Sequence, residues 1–524
     1  MARNAKLNKF NLTHSRGASY EPGYLYPVSF FECLPGDVFK IQSEFLLRFM
    51  PTIAPLMNRF KVSLRWWYCP TRLLMDDWQK FITGGPDGQD ATVLPYVVAP
   101  EGGWPVGSLM DHFSEQVGVA GLDDLAFAAR MYDLVYNEWY RAESVQDPVA
   151  LSLASGLDTT TNLNLLKVNW SRDYFTDGLP APQKGPSIGL FGSDSVAPVV
   201  GNGNSLGLAN GVYDGALRGI STSSGLQVVD GVSQPIGTTS GTVSVLANNK
   251  AIGVSQDPAK SGMHALLSGV DDATINAFRN AAAVQQFQEL NMRGGNRYVE
   301  FIFNHFGVRT PDASLQRPQY VGGVTSNIMI SEVLQTSSTD STSPQGTMAG
   351  HGVGAGNTPV IKFRSLEYGY MMCLMSIQPD AIYHQGTPRH LMRKTRFDFA
   401  IPLLAHLGEQ AIYNRELFAQ GPSVTDANGN VVDNKPFAYN PRYEEYRRIP
   451  NSICGQLRST LNFWTASRTF ANKPELNSEF LESNPPTNFW AVENGTDHIV
   501  GIFKHHIPAL RPLPKYGQPG LHII

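Results

Sequence analysis

The chain has 524 residues, 42% of them apolar and only 16% charged, against about 25% charged in an ordinary soluble domain. With 41 basic and 45 acidic residues the net charge is −4, which excludes a chain that coats nucleic acid by its own charge. So large a chain with so few charges points to a surface widely covered by partners, because the centres of protein interfaces are depleted in charge.

In chain order, residues 1–20 come first. They hold Arg3, Lys6, Lys9 and Arg16 with no acid before Glu21, a short basic N-terminal arm suited to phosphate contact. After a Pro35-Gly36 turn, 36–50 reads as a strand. In 60–69, Phe60, Val62, Leu64, Trp66 and Tyr68 alternate with Lys61, Ser63, Arg65, Trp67 and Cys69. That period of two predicts a strand with one wholly apolar face. Residues 75–85 predict a short helix with Asp76 and Asp77 at its positive end and Gly84-Gly85 stopping it. A second helix is expected over 123–145, with Leu125, Ala129, Tyr132, Tyr136 and Trp139 on one core-facing stripe.

Next comes "DYFTDGLPAPQKG", residues 173–185. Its acids and lysine suggest chemistry, but Asp173 and Asp177 have no evident partners in the sequence. No GxxxxGK[ST] loop surrounds Lys184. It reads as a proline-stiffened turn in which Tyr174, Phe175 and Leu179 are apolar anchors and Pro180 and Pro182 fix the backbone. These five residues are expected to meet a neighbouring subunit.

Residues 186–270 include a Gly/Ser/Asn/Val-rich, charge-poor stretch that reads as a long surface insertion. A third helix is expected over 274–293 and a fourth over 408–420. Strands are expected at 297–308, 366–377, 394–402 and 497–507. Residues 336–359 read as a second exposed loop and Asn428-Gly429 as a hairpin turn. Strands near both ends of the chain are expected to share one sheet, a topology common in β-sandwiches.

The search for catalytic, cofactor or metal residues finds none. Gly203-Asn204-Ser205-Leu206-Gly207 matches GxSxG but lacks the flanking strand and helix of a nucleophile elbow. Asp426 opens an EF-hand-like run that has Val431 where glycine is required. His505 and His506 are adjacent, so on a strand they face opposite ways. Cys33, Cys69, Cys373 and Cys454 lack metal spacing and read as buried free thiols, suited to a reducing cytoplasm. No secretory signal and no apolar run near the ~20 residues of a membrane span is present. The basic cluster 387–397, with Arg393 and Arg396, reads as a charged rim that pairs with acids of a neighbouring copy, in preference to the alternative of DNA contact. The competing class is a soluble jelly-roll enzyme or carbohydrate-binding protein, which needs a convergent site of titratable groups.

Several stretches together resemble one family. "YLYPVSFFECLPGDVFKIQ", "RWWYCPTRLLMDDWQKFITGG", "DYFTDGLPAPQKG", "LLAHLGEQAIYNRELF", "YNPRYEEYRRIPNSICGQLRSTLNFW" and "RPLPKYGQPGL" occur in this order between Tyr24 and Leu521. They are similar to the major capsid proteins of the Microviridae, small tailless single-stranded DNA phages, in the gokushovirus-like branch. The similarity lapses over about 188–260. The resemblance implies a mainly β chain: a single eight-stranded antiparallel viral jelly roll with long insertions and a few helices. It implies a T=1 icosahedral shell of sixty copies around circular single-stranded DNA, located in the virion and assembled in the host bacterial cytoplasm. It assigns residues 186–270 to a protrusion at the threefold axes, available to a host surface receptor. The implied partners are the chain itself, the genome, a small basic internal DNA-binding protein and a pilot protein, with no membrane insertion.

Overall fold

The computed structural model describes residues 7–86, 89–186, 275–295, 297–309, 311–334, 336, 348–492 and 495–516, with short strand segments between 199 and 265. Two compact units are present, Met1–Lys184 with Glu289–Ile524, and Gly185–Gln288.

The larger unit is built on one antiparallel sheet of eleven strands. In chain order these are β1 Asn8–Asn11, β2 His14–Tyr20, β3 Leu25–Cys33, β4 Val38–Phe49, β5 Phe60–Pro70 and β6 Gln319–Leu334. They continue with β7 Met348–Asn357, β8 Ile361–Arg364, β9 Gly369–Pro379, β10 Ile499–His506 and β11 Pro508–Arg511. The path runs β1-β11-β4-β7-β6-β5-β9-β3, with β8 on β4 and β10 joining β2 to β4. The mainly β architecture agrees with a jelly roll. The expected count of eight strands does not hold for this sheet, because short strands at both termini and β8 add to it. The expected sharing of one sheet by the two chain ends is borne out: β1 pairs with β11 and β2 with β10.

The alternation in β5 has the consequence its sequence implies. Phe60, Val62, Leu64, Trp66 and Tyr68 are all buried, facing Phe39, Ile41, Phe45, Leu47 and Phe49 of β4 within one core. Burying each such large side chain contributes about 1.5–3 kcal/mol. Behind the sheet, Trp67 and Cys69 of β5 and Met372 and Leu374 of β9 meet Phe127, Met131, Tyr132 and Val135 of the Phe127–Val135 helix. With core on both faces, β9 is an almost unbroken apolar run rather than an alternating one.

One polar chain crosses the inner core. Trp66 Nε1 donates to Ser43 Oγ (3.0 Å), Ser43 Oγ meets His505 Nδ1 (2.9 Å), and His505 Nε2 meets the Val28 carbonyl (3.2 Å). The indole can only donate and the carbonyl only accept. Nε2 must therefore carry a proton, and because burial keeps the ring neutral, Nδ1 is the acceptor and Ser43 donates to it.

Several expectations fail for identifiable reasons. Residues 297–308 form the helix Tyr298–Phe306, because Glu300 caps the Arg297 N–H (3.0 Å) and Gly307 ends it at φ 68°. Residues 394–402 form no strand: Asp398 accepts the N–H groups of Lys394 and Thr395, and Pro402 starts another short 3-10 turn. Residues 409–413 are a strand paired with Pro436–Pro441, leaving one helical turn at Asn414–Leu417. The supposed loop 336–359 contains β7, which lies between β4 and β6. Its glycines 350, 352, 354 and 356 recur with period two. Cβ atoms on Gly352, Gly354 and Gly356 would meet Phe49, Ile328 and Phe45 within 2.8–2.9 Å, so only glycine admits those large side chains. Residues 337–347 lie outside the described residues. From Asn8 onward the expected N-terminal arm is sheet. Cys454 is exposed, whereas the other three thiols are buried as expected.

The second unit holds Ile220–Ser221, Gln227–Val228, Gln234–Thr239 and Thr242–Val245 in a small antiparallel sheet, and two further strand pairs. The GxSxG run at 203–207 lies outside the described residues.

Burial lowers His505 to about 3 and, with the Arg16 charge second, His112 to about 4. A free histidine titrates near 6.5. The unfolded chain therefore takes up these two protons first, and their stabilisation is complete above pH ~6.5 and lost as pH falls toward 4. Between those limits the two together cost about 2.7 kcal/mol per pH unit. A His112→Gln/His505→Gln variant should have a pH slope of unfolding free energy shallower by about that amount. Equal slopes in denaturant titrations at pH 6 and 5 would contradict it.

Candidate assembly and nucleic-acid surfaces

Tyr174 and Phe175 lie inside their own subunit, 3% and 2% exposed. They join a satellite core with Trp170, Tyr383, Ile412 and Phe480. The Tyr174 hydroxyl donates to Glu416 (2.8 Å), and Asn440 donates to the Tyr174 carbonyl (2.7 Å). The two acids do have partners. Asp173 accepts the Tyr383 hydroxyl (2.7 Å) and the N–H groups of Phe175 and Thr176, and Asp177 pairs with Arg448. Leu179 exchanges backbone hydrogen bonds with Tyr439 (2.7 and 2.8 Å). Only beyond this point does the segment come to the surface, where Pro180 and Pro182 are exposed. The residues singled out in the turn are therefore two kinds: Tyr174 and Phe175 anchor it within the subunit, and the prolines present it outward.

Arg468 holds the same core together and was not singled out by any motif. It is 7% exposed, donates to the Phe480 carbonyl (2.6 Å) and stacks over Trp170, Phe470 and Phe480. Nothing local marks it, because beside the neighbouring Phe470 its partners Trp170 and Tyr383 come from distant parts of the chain.

The basic cluster is partly neutralised at home. Arg389 donates to Glu416 (2.9 Å) and to the Ala411 carbonyl (2.7 Å). Arg393 lies over the rings of Phe399 (4.9 Å) and Tyr446 (4.7 Å), and exposed Arg396 lies over Phe397 (4.8 Å). The surrounding strap exposes Leu391, Phe397, Phe399, Leu403 and Leu407, with Ile449 nearby in sequence to Tyr446. Leu403 and Ile449 are 83% and 85% exposed. Large apolar side chains left in water at this density mark a contact surface. The sequence signal for it was "FDFAIPLLAHL", an apolar run whose first part alternates as a strand would and so hid the exposed strap.

Arg3 and Lys6 lie outside the described residues. Lys9 is exposed on β1 opposite Leu510. Arg16 donates to the His112 carbonyl and to Ser114 Oγ (3.1 Å), which commits it to its own subunit.

A mainly β chain with a closed interior and apolar straps turned to solvent is built as a structural subunit of a larger assembly. A family model described as capsid protein (F protein) matches residues 2–521. Capsid protein VP1 of Chlamydia phage 1 is 33% identical over 575 aligned positions, covering 99% of this chain and 96% of that protein. Capsid protein VP1 of Bdellovibrio phage phiMH2K is 34% identical over 523, covering 98% and 95%. Capsid protein VP1 of Spiroplasma virus 4 is 30% identical over 548, covering 99% and 96%. The chain belongs to this capsid protein family, which the quoted motifs resembled. Its role is structural, as a major capsid protein that assembles with itself into a shell and resides in the virion, and it is not an enzyme. No helix among the described residues is long and apolar enough to cross a membrane.

If Phe175 serves the subunit interior, Phe175→Ala lowers the unfolding free energy of the isolated subunit by about 3–5 kcal/mol. A purely intersubunit role leaves subunit stability unchanged, and chemical denaturation of the unassembled chain separates the two.

Proposed function

We propose that sixty copies of this chain close into a T=1 icosahedral shell around a circular single-stranded DNA genome, assembled in the cytoplasm of a bacterial host. The observation that carries this reading is the match to capsid proteins over residues 2–521. The exposed apolar strap and the low charge content support it physically. Contacts in such a shell are individually weak and gain from being made many at once.

Residues 186–270 form the threefold protrusion and carry host attachment in this reading. Pro180 and Pro182 hold the chain where it enters that insertion, and with Leu179, Arg393 and Arg396 they contribute to contacts between copies. A chain with more acids than bases offers no net charge to neutralise packaged phosphate. That supports a small basic internal protein as a partner, with a pilot protein serving DNA delivery. Direct DNA contact falls to the N-terminal residues Arg3, Lys6 and Lys9. Arg16, already bonded within the subunit, contributes less.

Electron cryomicroscopy of purified particles tests the copy number, and the DNA content per particle tests the N-terminal contacts. Sixty copies in the wild type, with less packaged DNA on deleting residues 2–9, are expected. A different copy number overturns the T=1 shell. Unchanged DNA content in the deletion removes the N-terminal contacts from the account.

A further inference from the structure

Beneath the exposed strap lies a cavity of about 490 Å³ that the capsid role does not by itself explain. Five cationic side chains line it, Arg389, Arg393, Lys394, Arg415 and Arg442, against two carboxylates, Asp398 and Glu445. The carboxylates are already engaged. Asp398 accepts the N–H groups of Lys394 (2.8 Å) and Thr395 (2.7 Å). Glu445 accepts Gln410 Nε2 (2.7 Å) and lies 3.8 Å from Arg389 and 4.0 Å from Arg393. Lys394, Arg415 and Arg442 make no ion pair with a carboxylate among the described residues.

Three of the residues that line the cavity also carry buried donors without acceptors behind its wall. Arg393 Nε, Arg442 Nε and the Tyr443 hydroxyl have no hydrogen-bond partner among the described residues. Tyr443 is 5% exposed and sits at φ 66°, a backbone conformation that side chains other than glycine rarely adopt. Leaving a buried donor unmet is unfavourable. With five cationic side chains on its walls, three of them without a carboxylate partner among the described residues, and only two carboxylates that are already engaged, the cavity describes a site for an oxyanion.

We propose that this cavity receives a carboxylate side chain from a second copy of the chain and is the polar anchor of a subunit contact. The inference rests on the shell reading. Protein is favoured over nucleic acid as the source of the anion by what surrounds the cavity. Phe397 lines it, Phe399 and Tyr446 stack on Arg393 at its edge, and Leu391, Leu403 and Leu407 continue the exposed apolar strap. Aliphatic side chains gain from a protein surface that excludes water, whereas a phosphate backbone brings water with it. The chain also carries an excess of acids, 45 against 41 bases, so a second copy has carboxylates to offer.

Two measurements on assembled particles test this. Particles made from mixed 14N and 15N subunits are treated with a zero-length carbodiimide, which joins an amine directly to a carboxylate. Lys394 should link to an Asp or Glu of the other isotope. Separately, Arg415→Gln/Arg442→Gln particles should dissociate at a NaCl concentration at least twofold lower than the wild type, with unchanged DNA content. Lys394→Glu, at an exposed position, should do the same if the double variant fails to fold. Links confined to Asp398 or Glu445 of the same chain, with unchanged dissociation, overturn the proposal. Intact variant shells with less DNA assign the cavity to phosphate and overturn it equally. A wild-type chain that forms no particles removes the shell reading instead, and the anchor with it.

Discussion

The larger unit depends on what β4 holds at its two edges. Val38 and Phe39 pair with β11 and Gln42–Phe49 with β10, while β8 and β7 occupy the other edge. The last two strands of the sheet thus lie on β4, and the first two pair onto them in turn, β1 on β11 and β2 on β10. Such pairings bring together residues separated by most of the chain, and the loop-closure entropy must be offset before they gain anything. What offsets it is the inner row Phe39, Ile41, Phe45, Leu47 and Phe49, all buried. Ser43 in the same row carries the hydrogen-bonded link from Trp66 to His505, so the one polar group in the row also joins β5 to β10.

From this closed interior follows the character of the surface. The sheet's inner face is filled by its own strands and its outer face by the Phe127–Val135 helix. The loops that remain must find their own anchors. They do so through the satellite core around Tyr174, Phe175 and Arg468, which fixes where the chain turns outward at Pro180. The strap near Leu391–Leu407 has no such interior and keeps its apolar side chains in water. A subunit arranged this way is complete inside and incomplete outside, as a shell protein requires.

Much of the sheet was legible because β4, β5, β9 and β10 write their burial into simple patterns, and the capsid family was legible from motifs scattered along the chain. What failed to show was context. "YVEFIFNHF" alternates well enough for a strand, and only Glu300 and Gly307 mark its helix ends. The glycines of β7 look like loop residues until Phe45 and Phe49 are known to lie against them. Asp173 and Asp177 seemed unpartnered because Tyr383 and Arg448 are more than two hundred residues away. The oxyanion cavity was invisible for the same reason: its cations come from 389–394, 415 and 442.

The central claim is that the interior is finished in the lone subunit and that assembly is made at the straps. Hydrogen–deuterium exchange on the unassembled chain and on intact particles tests it most directly. The account predicts that protection gained on assembly includes 391–407 and 442–449, while β4, β5 and β9 are already protected in the free subunit. Core strands that become protected only in the particle, with no gain in those straps, would contradict it.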